Sequence, residues 1–118
     1  MTKIYKVYKE NVIKYLPDLA DYNYQKRVWA TGKPQPGDMS PTFVEAWCQL
    51  FDDTGLSDAL NIGQTVFGAA ADQAILDLNA ALRKVDDKNK PDSMIIDTPA
   101  MQNVREKAAK ALQLILQG

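Results

Sequence analysis

Residues 65–86 read TVFGAAADQAILDLNAALRKVD, and the spacing of apolar residues in this stretch decides the fold. Val66, Phe67, Ala70, Ala71, Ala74, Ile75, Leu78, Ala81, Leu82 and Val85 recur at intervals of three and four, the period of an α-helix and not of a strand. Together they cover about half of a helix circumference, a width that predicts burial between several neighbours.

The same period extends outward in both directions. Residues 99–117 place Met101, Val104, Ala108, Ala111, Leu112 and Ile115 on one face, behind a Thr98-Pro99 start that supplies a hydroxyl cap and a first-turn proline. Ser40-Pro41 predicts an equivalent start for a helix over 41–53, with Phe43, Val44, Trp47, Leu50 and Phe51 inward and Asp53-Thr54-Gly55 as its end. Ser57-Asp58 can cap a short helix through Ile62. At the N-terminus, Ile4, Val7, Tyr8, Val12, Tyr15 and Leu16 predict a helix over 3–16, which Pro17 should end or kink at Leu16. Pro17 then opens a second helix that stops at Gly32.

Two loops punctuate the series, Gly32 to Asp38 and residues 86–97, with Met94-Ile95-Ile96 pinning the far end of the second. The expected fold class is all-α: a compact, bundle-like single domain of four to six helices over residues 1–118, helical over more than half its length. The alternative is α+β, with a minor hairpin drawn from residues 20–30 and 92–97.

Composition excludes much chemistry. The 118 residues contain no histidine and one cysteine, Cys48, which removes the usual general base and the usual zinc ligand, and leaves no partner for an internal disulfide. The longest uncharged stretch, Ala59 to Ala71, is too short and too polar to span a bilayer. The lysine-studded start, Lys3, Lys6 and Lys9, contains no apolar signal core. A cytoplasmic protein is expected, with no membrane interaction.

Site templates fail one by one. A helix–loop–helix calcium loop needs glycine at position 6 and glutamate at 12; counted from Asp87 these are Asp92 and Thr98, and from Asp53 the third position is Gly55 and the twelfth Gln64. Gly63 and Gly68 precede no lysine–hydroxyl pair that would cradle phosphate. No cofactor and no metal are expected. Cys48, one turn from Val44 and three residues before Phe51, is expected at the core edge as a structural thiol. The five tyrosines interleave with lysines as a base-stacking platform would, but Tyr8 and Tyr15 share a face with Ile4 and Val12, which favours a core edge over nucleic acid.

Charge supplies the functional expectation. Residues 1–33 carry seven Lys/Arg against three acids, and residues 83–118 seven against five. Residues 34–82 carry seven acids and no Lys or Arg at all. An acidic surface of this kind steers a basic partner. The expected contact residues are Glu45, Gln49, Asp52, Asp53 and Asp58, with Asp72 and Leu76 on a second exposed face. The chain is then a protein-binding protein, an inhibitor or immunity-type protein that neutralises a partner with a basic site, and not an enzyme. The alternatives are a structural or assembly component that self-associates, with Leu114 outside the apolar arc, and, third, a non-histidine enzyme or nucleic-acid binder.

Overall fold

The computed structural model describes residues 4–117. Of these, 66% are helical and none is in a strand. The helices are α1 (Lys9–Ala20), α2 (Tyr22–Tyr24), α3 (Phe43–Cys48), α4 (Leu56–Asn61), α5 (Ala69–Arg83), α6 (Asp92–Ile95) and α7 (Pro99–Gln117). Two π-helical turns, Gln25–Trp29 and Gln49–Asp53, extend α2 and α3. The all-α architecture stands, and neither half of the alternative hairpin forms: residues 22–29 are helical, and α6 occupies most of 92–97.

The long helix α7 is the hub. It packs along α5 on one side and α1 on the other, and its Met101, Val104, Ala108 and Ala111 are fully buried. Alanine at two successive turns lets the neighbouring backbones approach closely, and Ile75, Leu78 and Leu82 of α5 close over them. The apolar period of α5 is used as its sequence predicts from Ala71 onward, but Ala70, assigned to the inward face, is exposed, and the helix begins only after Gly68, whose φ of 123° no helical residue adopts.

The N-terminal segment departs from expectation. Residues 4–8 form no helix, α1 begins at Lys9, and Ile4, assigned to the core face, is 77% exposed; Lys3 lies outside the described residues. Tertiary partners have replaced the helical hydrogen bonds. The Gln64 side chain grips the Tyr5 backbone at both ends, accepting from its N–H and donating to its carbonyl, each at 2.9 Å, and the Tyr8 N–H donates to the Thr54 carbonyl at 2.9 Å. The strap passes so close to Gly55 that a Cβ there would collide with the Lys6 carbonyl oxygen.

Pro17 neither ends α1 nor opens a new helix; it lies inside α1. An interior proline costs about 3 kcal/mol, but Val12, Leu16 and Leu19 form one fully buried stripe only if the helix continues through it. Burying each is worth roughly 1.5–3 kcal/mol, so packing outweighs the penalty. The break falls instead at Asp21, whose extended backbone lets its carboxylate accept from the Tyr24 N–H. The start of α3 also shifts. Thr42 caps it, accepting from the Glu45 N–H at 3.1 Å, while Ser40 is buried two residues earlier.

The carbonyls freed at the end of α1 meet the side chain of Gln25, which is fully buried. Its amide nitrogen donates to the Asp18 and Leu19 carbonyls at 3.0 and 3.1 Å, and its amide oxygen accepts from Arg105 at 2.9 Å. Arg105, also buried, donates further to the Ile96 carbonyl at 2.9 Å and stacks on the Tyr22 ring at 4.9 Å. Burial pulls its guanidinium below the ordinary arginine value, and the nearby Tyr22 and Asp97 oppose that shift.

Asp18 is half-buried beside this junction. Burial is the main cause that raises its carboxyl above the ordinary value of 3.8; the Ser40 hydroxyl opposes it, and Asp21 and Asp38 add to it.

Two outcomes are expected. Gln25→Ala strands two helix-end carbonyls and removes one partner of a buried cation, so urea unfolding should show a loss of about 2–4 kcal/mol. Asp18→Asn should act in the opposite direction. A raised carboxyl costs stability while ionised in the folded state, and that cost disappears as protons bind at falling pH. Asp18→Asn should therefore raise the urea midpoint at neutral pH, and the gain should vanish in acid below the ordinary value.

Candidate functional site

The acidic segment folds around a chain of aromatic contacts. Tyr24, Trp29, Phe43 and Trp47 meet in succession, with ring centroids 6.4, 6.0 and 6.0 Å apart, and this series fixes α3 against the α2 turn. The buried Ser40 locks the connection. Its carbonyl accepts from the Trp29 indole at 2.7 Å and the Tyr24 hydroxyl at 2.9 Å. Its hydroxyl donates to the Gln49 amide oxygen at 2.9 Å, and the Gln49 amide nitrogen donates to the Met39 carbonyl at 2.9 Å.

Beyond Gln49 the helix widens into the π turn and stops at Thr54. The Thr54 hydroxyl donates to the Leu50 carbonyl at 2.6 Å and accepts from the Leu56 N–H at 3.2 Å. Gly55 then takes a left-handed φ of 83°, a conformation favoured by glycine, and α4 follows. Asp52 and Asp53 sit on the π turn and Asp58 on the first turn of α4. A widened turn of this type is frequent at functional sites because it re-aims the side chains on it.

Between α3 and α5 lies an open concavity of about 390 Å³. Val44, Trp47, Cys48, Phe51 and Asp52 line it from α3 and its π turn, Ser57 from α4, Asn79 and Arg83 from α5, and Asp87 from the segment after α5. The Trp47 indole N–H donates to the Asn79 side-chain oxygen at 3.1 Å and spans the gap. Val44, assigned inward by its spacing, is 50% exposed.

The expected contact residues divide into three groups. Glu45, Asp52, Asp53 and Asp58 are exposed, and among the described residues no cation pairs with any of them: the ion pairs found are Arg27–Asp38 and Lys90–Asp86, both at 2.9 Å. Those two pairs hold the Asp38 and Asp86 carboxyls below their ordinary value, each through its basic partner. Gln49 is half-buried with both ends of its amide engaged, so it positions the loop before α3. Asp72 is a correction. It is only 8% exposed, because its carboxylate accepts the Val66 and Phe67 N–H groups at 2.8 and 2.9 Å and so closes the turn that leads into α5. Its neighbour Leu76 is exposed at 41%.

Cys48 is a second correction. Its thiol is exposed and lines the concavity, since the buried stripe of this helix runs through Phe43, Ala46, Leu50 and Phe51. Arg83, Asn79, Ser57 and Asp87 were not expected at a site; they come together only through the packing of α5 opposite α3. Among the described residues no cluster of three or more carboxylates and thiols forms a metal shell, and no helix is long and apolar enough to cross a membrane.

Comparisons with protein-family models, with curated proteins and with solved structures find no match to this chain.

The position of Cys48 is checked by thiol chemistry. The native thiol should react with a disulfide reagent within about tenfold of a free cysteine, and Cys48→Ala should change stability by no more than about 0.5 kcal/mol.

Proposed function

We propose that this protein binds a partner protein bearing a basic site and neutralises it by occlusion, in the manner of an inhibitor or immunity-type protein. One observation carries the reading. Glu45, Asp52, Asp53 and Asp58 are exposed acids without a paired cation among the described residues, within a run, 34–82, that contains no Lys or Arg. Carboxylates left in this state are free to act on a distant cation, so they speed encounter more than they hold the complex. Apolar anchoring supplies the hold, for which Val44 and Leu76 offer exposed aliphatic surface. We assign the protein a binding role and not a catalytic one, and the single thiol is consistent with action in a reducing cytoplasm.

A second reading, self-association, draws support from Leu116, which is 65% exposed near the end of α7. Leu114, the residue expected to mark such a surface, is half-buried against the core instead.

The two readings separate by experiment. Wild type and Asp52→Lys/Asp53→Lys serve as matched baits; a protein retained by wild type alone is identified and its kinetics measured. The association rate should fall more than about tenfold as salt shortens the Debye length from roughly 10 to 3 Å, and the charge reversal should lower it similarly, with dissociation changed by less than about threefold. Equal capture by both baits, or a salt-independent rate, refutes the acidic-interface reading. A concentration-dependent mass in light scattering, abolished by Leu116→Lys, supports self-association in its place.

A further inference from the structure

We propose that the concavity between α3 and α5 is a binding site for a small amphipathic zwitterion of the amino-acid class. At about 390 Å³ it lies toward the lower end of small-molecule sites, roughly 300–1,000 Å³, which suits an occupant of amino-acid size. Its apolar lining comes from Val44, Trp47 and Phe51, enough to cover one branched or aromatic side chain.

The charged groups decide the chemistry. Asp52, Asp87 and Arg83 line the same concavity, and among the described residues none of the three makes an ion pair or a side-chain hydrogen bond. One guanidinium and two carboxylates thus face the same concavity from its two sides without pairing. A simple cation would leave Arg83 unused, and a simple anion would leave the two aspartates unused. A molecule with a carboxylate and an ammonium around an apolar body uses all three, with the carboxylate on the guanidinium fork and the ammonium between the acids.

The site shares Asp52 and Val44 with the proposed partner surface, but it is tested on the isolated chain with small probes, so the two readings fail separately. The probes are L-leucine, 4-methylpentanoate (leucine without its ammonium) and isoamylamine (leucine without its carboxylate), read by tryptophan fluorescence through Trp47 and by calorimetry. Leucine should bind saturably below about 10 mM and at least about tenfold tighter than either analogue or glycine. Arg83→Gln should weaken leucine about tenfold and leave isoamylamine unchanged. Asp52→Asn/Asp87→Asn should weaken leucine and leave 4-methylpentanoate unchanged. Absence of a saturable response to leucine, analogues that match leucine, or variants that affect all three probes alike would overturn the assignment.

Discussion

The fold depends on one buried polar junction, in which Gln25 joins the end of α1 to Arg105 of α7. Around it, four elements are held in register: the last carbonyls of α1, the π turn after α2, the Ile96 carbonyl after α6, and α7 itself. A buried guanidinium without a carboxylate partner is tolerable only when its donors meet oriented oxygens, and the junction supplies them from an amide side chain and a backbone carbonyl. Because a half-satisfied network of this kind is worse than none, the junction specifies one arrangement and rejects its near alternatives.

The concavity follows from the same arrangement. With α7 occupied by α1 on one side and α5 on the other, α3 is left to pack on α1 and the aromatic series. It reaches α5 through the Trp47–Asn79 hydrogen bond, and the space on either side stays open. The acids of the middle segment thus sit on the part of the molecule that the hub does not cover, which is why they remain without internal partners.

The long helices were legible in the sequence because their apolar period is sustained over many turns, as in Ile75, Leu78 and Leu82. What the sequence concealed was long-range substitution for local bonds. Ile4 and Val7 read as a helical face until Gln64 and Thr54 take over backbone groups of Tyr5 and Tyr8. Pro17 reads as a terminator until the burial of Leu16 and Leu19 outweighs it. Of the binding residues, Glu45, Asp52, Asp53 and Asp58 could be read as exposed acids. Asp72 could not be told from them, since nothing local reveals that the N–H groups of Val66 and Phe67 need an acceptor. Cys48 failed for a related reason: spacing from Val44 implied burial, and Val44 itself faces outward. Arg83 and Asp87 were invisible as site residues because only tertiary packing sets α5 opposite α3.

The strap at residues 4–8 also ties two distant parts of the chain to each other. Its clasp joins Tyr5 to Gln64, 59 positions apart, so the strap depends on a segment far along the chain. Closing a loop of that length costs entropy that a few hydrogen bonds alone do not return, so the strap holds only against a folded body that already presents its partners. Without the strap, the Thr54–Gly55 corner would lose the backbone it rests against, so the shape of the acidic turn is set in part from outside the acidic segment.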